Sequence, residues 1–166
     1  MKNFAWIQRI SLLALWVGFL SCSPATAPHN AGLPADEEVT STNMESSILR
    51  YVNQHRRQLG KQPLVLQAVA SQQATQHSRN MARRKTGFGH DGFEQRMAVI
   101  KKNTGWISAS AENVAYGKLT AQEVVKGWLN SPGHKKNIEG DYLFTGIGVY
   151  KDARGILFFT QIFYRK

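Results

Sequence analysis

Leu143-Phe-Thr-Gly-Ile-Gly-Val-Tyr150 and Ile156-Leu-Phe-Phe-Thr-Gln-Ile-Phe-Tyr164 decide the fold class of this 166-residue chain. Both runs are rich in β-branched and aromatic residues, and Asp152-Ala-Arg-Gly155 between them reads as a hairpin turn. Upstream, strand character is confined to a brief run at Glu112-Asn-Val-Ala-Tyr-Gly117, and most other segments repeat at the helical period. Helices first and antiparallel strands last predict an α+β domain in which helices cover a small sheet.

Immediately before the hairpin stands Trp128-Leu-Asn-Ser-Pro-Gly-His134-Lys-Lys-Asn-Ile138. Thr120-Ala-Gln-Glu123 is a capping box that opens the helix ending at Trp128-Leu129. Asn-Ser-Pro-Gly then breaks it, and Pro132 suits the first position of a new short helix. His134 is thereby predicted on rigid backbone beside a large apolar anchor, a placement that suits a site.

Further upstream, Thr42-Asn-Met-Glu45 reads as the capping box of a first helix that Gly60 stops. Met44, Ile48, Val52, His55 and Leu59 share one face of it, so His55 reads as a hydrogen-bonded core histidine. Pro63-Leu-Val-Leu66 leads into a second helix of about 20 residues, ending at Gly87, with Ala70, Ala74, His77 and Met81 inward. His77 reads as structural too. The glycine-rich loop Gly87-Phe-Gly-His-Asp-Gly92 carries His90 but has neither a preceding strand nor a following Lys-Ser/Thr, which excludes a phosphate loop. A short helix with Phe93, Met97 and Ile100 follows. Phe88, Phe93, Trp106 and Tyr116 are expected in the core rather than on an exposed rim.

Charge and the N-terminus bound the setting. Lys2 and Arg9 precede an apolar run from Ile10 to Leu20, the pattern of a secretory signal. The run ends at Phe19-Leu-Ser-Cys22, which resembles a bacterial lipobox with Cys22 as the lipidated residue; cleavage near Ala25-Thr-Ala27 is the alternative. Residues 1–22 are thus expected to be a signal peptide, 23–43 a disordered tether, and 44–166 the folded domain, in the cell envelope or secreted. Cys22 is the only cysteine, so packing rather than disulfides must hold the domain. From Ser46 onward, 19 Lys and Arg face 7 Asp and Glu. Such a field favours an anionic membrane or cell-wall surface; no recognised nucleic-acid motif accompanies it, and nucleic acid is set aside.

Four ionisable residues stand at loop or element-end positions: His90, Glu112, Glu123 and His134. Two imidazoles and two carboxylates suit a divalent metal or acid/base chemistry, but their spacing matches no local metal signature. By periodicity Glu123 is an exposed cap.

Taken in order, Gly-His-Asp-Gly, Glu-Asn-Val-Ala-Tyr-Gly, Trp-Leu-Asn-Ser-Pro-Gly-His-Lys-Lys-Asn-Ile and Thr160-Gln-Ile-Phe163 resemble the signature of the CAP superfamily of cysteine-rich secretory, antigen 5 and pathogenesis-related proteins. Asn53-Gln-His-Arg56 and Ala74-Thr-Gln-His-Ser78 also fit its bacterial branch, and the likeness covers about residues 46–164. The resemblance implies an α-β-α sandwich around a three-stranded antiparallel sheet with a central cavity. His90, Glu112, Glu123 and His134 would line that cavity, which overrides the exposed-cap reading of Glu123. It also implies a binding module for a small apolar ligand, lipid or sterol, and for a divalent metal such as Zn held by His90 and His134. The alternative is a metal-assisted, protease-like hydrolase with Glu112 or Glu123 as general base. No serine stands in a nucleophile-elbow setting.

Overall fold

The computed structural model describes residues 35–166, with side chains from residue 43 onward. Five helices and four strands follow one another: α1 Ala35–Gln58, β1 Val65–Leu66, α2 Ala68–Ala82, α3 Phe93–Thr104, β2 Ala109–Gly117, α4 Ala121–Asn130, α5 Pro132–Ile138, β3 Phe144–Lys151 and β4 Leu157–Arg165. The strands form one sheet in the order β1-β3-β4-β2. The predicted hairpin pairs Phe144 with Tyr164 and Lys151 with Leu157, and β2 runs antiparallel along the other edge of β4. The sheet has four strands rather than three. Val65 and Leu66 add a short parallel strand beside Phe144 and Thr145, too short to leave a period in the sequence.

The alternation of β3 explains the layers. Ile147 and Val149 point to one face, where they join Ile48, Val52, Val124, Val125, Trp128 and Ile138 from α1, α4 and α5. Gly146 and Gly148 lie on the other face, under α2, where a methyl group would overlap the backbone of Ala70–Ser71 and Ala74–Thr75. That close approach requires glycine. Ala70 and Ala74 pack there with Met97, Ile100, Ile162 and Tyr164, so α2 and α3 cover the second face. Ser78 fixes the contact by donating to the Gly148 carbonyl at 2.9 Å and pairing with the Thr160 hydroxyl at 2.8 Å. The result is an α-β-α sandwich.

Several boundaries differ from the sequence reading. The first helix begins at Ala35, so residues 35–43 are helical, and Thr42–Glu45 is no cap. The tether reading rests on Ser, Pro, Ala, Thr and acids across 23–43, but its prolines all precede residue 35 and no Gly or Pro interrupts 35–43. Glu45 instead accepts a hydrogen bond from the Val149 N–H at 3.1 Å, tying α1 to β3. Leu59 lies exposed beyond the helix end. α2 has 15 residues rather than about 20. The signal sequence, Cys22 and the tether up to residue 34 lie outside the described residues. Among the described residues no helix is long and apolar enough to cross a membrane.

Arg56 performs the stapling that a disulfide-free domain needs. Its buried guanidinium donates to the carbonyls of Gln62, Ile138, Gly140 and Tyr142 at 2.7–3.0 Å, joining α1 to the segment between α5 and β3. His55, one residue earlier, bonds Glu139 at 2.8 Å as a hydrogen-bonded histidine, but it is half-buried rather than in the core.

Candidate functional site

The site is built on the start of β2. Glu112 is only 6% exposed, a costly place for a carboxylate unless every oxygen is satisfied. Arg96 meets that need with a fork, Nε on Oε2 at 2.9 Å and Nη2 on Oε1 at 2.8 Å. His90 Nδ1–H donates to the same Oε1 at 2.9 Å. With Nδ1 so committed, a neutral His90 presents the Nε2 lone pair outward, and its side chain is 52% exposed. The carboxylate orients the ring, and the guanidinium orients the carboxylate.

His134 joins from α5. Pro132 occupies the first turn of that helix as predicted, and Asn113 donates to the His134 carbonyl at 3.1 Å. Asn137, one turn on, donates to the Glu112 carbonyl at 3.2 Å and to Asn113 Oδ1 at 2.8 Å. These bonds fasten α5 to the strand that carries Glu112. Burial pushes the His134 pKa down, and proximity to His90 adds to the effect, so the imidazole stays neutral near pH 7. Trp128 anchors the preceding helix from below, its indole N–H donating to the Val114 carbonyl at 3.2 Å.

Glu123 does not meet them. It is exposed, and its carboxylate accepts from the Thr120 N–H at 2.7 Å and the Thr120 hydroxyl at 2.9 Å. The capping box is complete, and these hydrogen bonds hold the carboxyl below its ordinary value. The helical-wheel reading was therefore the correct one, and the cavity assignment of Glu123 fails because its charge is consumed by its own helix start. Gly127, one turn further along α4, faces open space.

Arg96 and His77 are the members that the sequence reading passed over. Arg96 follows Phe93 by three positions on a helix whose buried side also carries Met97 and Ile100. A cation inside an apolar stripe signals a buried anion. His77, read as structural, is buried and donates through Nε2 to the Gly89 carbonyl at 2.8 Å, fixing the loop that carries His90. Its Nε2 also stands 3.9 Å from Glu112 Oε1.

The donor set bears on a metal. Among the described residues, no group of three or more His, Cys, Asp and Glu side chains is placed to hold one. Glu112 has both oxygens engaged beside a guanidinium and is poorly suited to coordinate directly. His90 and His134 are the two imidazoles of the cluster, and Glu112 orients the first of them.

Beside this cluster lies an apolar hollow of about 530 Å³ lined by Met81, Phe88, Tyr116 and Phe158, with Arg84 and Lys85 also on its walls. Phe88 and Tyr116 are 53% and 57% exposed and meet edge to face at 4.7 Å, while Tyr116 stacks on Phe158 at 5.7 Å. Trp106 is exposed too, leaving only Phe93 of the four aromatics packed against the core. Phe88 and Tyr116 form an exposed rim to the hollow, where the sequence reading expected core packing.

The sequence matches the family described as CAP, the cysteine-rich secretory protein family, over residues 49–163. This chain belongs to the CAP family. The chain is 33% identical over 150 residues to the Bacillus subtilis (strain 168) protein YkwD, covering 88% of this chain and 56% of YkwD. Its fold is similar to an extracellular protein containing a SCP domain from Bacillus anthracis str. Ames, with a TM-score of 0.69 and 25% identity over 81% of this chain and 45% of that one. An outer surface protein from Borrelia burgdorferi shares the fold at a TM-score of 0.66 and 22% identity, covering 75% of this chain and 93% of that one. The chain thus spans little more than half of YkwD and less than half of the Bacillus anthracis protein.

Proposed function

We propose that this CAP domain is an exported, envelope-associated binding module that holds a divalent cation, zinc being the fitting case, between His90 and His134. The observation that carries this reading is that neither carboxylate is free. Glu112 is clamped by Arg96 and His90, and Glu123 caps its own helix. The imidazoles keep lone pairs to offer, but neither carboxylate is poised to take a proton from water. The same fact weighs against the hydrolase reading, in which Glu112 or Glu123 would act as general base.

The lipid or sterol of the sequence reading finds apolar lining at the Phe88–Tyr116–Phe158 hollow rather than among the polar groups of the cluster. Arg84 and Lys85 favour an amphiphile with an anionic head. The excess of bases after Ser46 would hold the domain close to an anionic surface, cooperatively with a lipidated Cys22. The extracellular setting in the name of the Bacillus anthracis relative agrees with this placement.

Zinc titration by calorimetry tests the cation site. His90→Ala and His134→Ala are each expected to weaken binding at least tenfold, whereas Glu123→Gln leaves it unchanged. Equal zinc affinity in all four proteins overturns the reading.

A further inference from the structure

The strand register lays three rings side by side across one end of the sheet. Tyr150 pairs with Phe158 and Phe158 with Tyr116, so the three side chains share one face. At one side of the row the guanidiniums of Arg79 and Arg83 lie over Tyr150, 5.4 and 5.5 Å from its ring centre. At the other side Phe88 meets Tyr116 edge to face, and both rings stay more than half exposed. Neighbouring strands stand about 4.8 Å apart, so the cations and the open rings are separated by only about 10 Å. Register brings two lysines to the same end. Lys151 pairs with Leu157, Leu157 with Gly117, and Lys118 follows Gly117.

One backbone feature here works against folding. α2 closes with the Lys85 N–H on the Asn80 carbonyl at 2.9 Å and the Arg84 N–H on the Met81 carbonyl at 3.0 Å. That pattern puts Arg84 at the left-handed position where helices ordinarily carry glycine. Its φ is 55°, and among the described residues no other non-glycine residue has a positive φ. Glycine would suit the turn better. The strained residue is also a wall of the Phe88–Tyr116–Phe158 hollow, which ties its side chain to whatever that hollow meets.

We infer that this end of the sheet is the face by which the domain docks on an anionic lipid bilayer. Phe88 and Tyr116 enter the headgroup region, and the bases around them meet lipid phosphates. The inference rests on the envelope reading above and names the surface that makes the contact. Charge selects an anionic partner. Arg83, Arg84, Lys85, Lys118 and Lys151 are exposed, and among the described residues none of them is paired with a carboxylate. Of the acids that come near, Asp152 is held by Arg154 and Glu45 is turned to the Val149 N–H, which leaves Asp91 beside Gly87.

The rings select a bilayer over a soluble polyanion. A polyanion in water would match the bases and leave the open rings and the apolar hollow unused. Aromatic side chains fringed by bases settle at the boundary between headgroups and acyl chains. The opposite end of the sheet offers Trp106, but Lys101 covers that ring at 4.6 Å and Arg165 there is paired with Asp141.

Paramagnetic broadening locates the docked face. The isotope-labelled full chain is mixed with nanodiscs of phosphatidylglycerol and phosphatidylcholine in equal parts, carrying a nitroxide-headgroup lipid, with a chelator excluding zinc. Backbone amides of Phe88, Tyr116 and Lys118 are expected to broaden, and those of Trp106 and Lys135 to stay sharp. The N-terminal segment is common to every arm, so differences between variants report the folded domain. Arg84→Gly and Lys118→Ser should each lower the ratio of docked to free chain about fivefold. Phe88→Ser should lower it about tenfold. Lys102→Ser, near the start of β2 at the other end of the sheet, should leave it unchanged. Thermal unfolding separates docking from folding, since Arg84→Gly should be at least as stable as the unaltered protein. Broadening centred on Trp106 or spread over all faces, equal docking on phosphatidylcholine alone, or an unchanged ratio in Arg84→Gly overturns the assignment. So does a soluble glycerol-phosphate polymer that shifts these amides while discs leave them sharp, which would make the partner a wall polymer. A chain that fractionates with the cell envelope yet shows no broadening at Phe88 loses this face and keeps the envelope reading. Docking by the purified chain with no envelope fraction in cells does the reverse.

Discussion

Glu112 stays buried because three hydrogen bonds from two basic side chains replace the water it gave up. Such a pair is expensive to break and cheap to replace. Glu112→Ala leaves the Arg96 guanidinium buried and unmatched, and should cost about 3–5 kcal/mol in urea unfolding. The double variant Glu112→Leu/Arg96→Met should recover most of that loss while still releasing His90 from its orientation. If the double variant is as unstable as the sum of the singles, the clamp is not a closed unit. Glu123 shows the contrast at the same scale: a carboxylate with as suggestive a position in the sequence, satisfied entirely by Thr120.

Among the elements, the α2–β3 contact has the least tolerance. Gly146 and Gly148 alternate with Ile147 and Val149, so one face of β3 supplies large side chains to α1 and α4 while the other supplies none. Gly148→Ala would drive a methyl into the Ala74–Thr75 backbone, which cannot step aside as a flexible side chain can. A loss of about 3 kcal/mol or more is expected in thermal unfolding, together with weakened order in the loop of His90, because α2 carries His77. Gly133→Ala serves as the control. It meets open space at the start of α5 and should be neutral or mildly stabilising; a large loss there would mean that the close-packing argument misplaces the constraint.

For the whole molecule, pH acts through buried groups that pull in opposite directions. Burial pushes the Glu45 carboxyl from 4.5 up to about 7, against hydrogen bonds from the Val149 N–H and the Thr75 side chain. The folded state then binds the proton more tightly than the unfolded chain, and this contribution to stability is lost as pH rises from 4.5 to about 7. Burial lowers the pKa of both His77 and His134, so their contribution is lost instead as pH falls below the ordinary imidazole value of 6.5. Glu45→Gln keeps an oxygen for Val149 and removes the first trend. Its Tm should exceed that of the unaltered protein at about pH 8, with the gap closing towards pH 4.5. No gap under alkaline conditions would show that the carboxylate is solvated in place.

Local pattern was enough for the α+β class, the C-terminal hairpin, the Thr120 capping box and the Pro132 helix start, because each rests on a short period or a residue's own backbone preference. Ordered motifs over 120 residues carried the CAP resemblance, and two of the four residues it gathered, His90 and Glu112, do touch, with His134 beside them. The rest was settled only by how the chain packs. Whether Glu123 spends its charge on its own helix or on a neighbour depends on which side chains arrive from elsewhere, and none does. Arg96 reaches Glu112 across 16 residues, and the short β1 exists only because β3 passes beside it. Those outcomes are set by packing between distant segments, where competing partners differ by a few kcal/mol and no local pattern records which one wins.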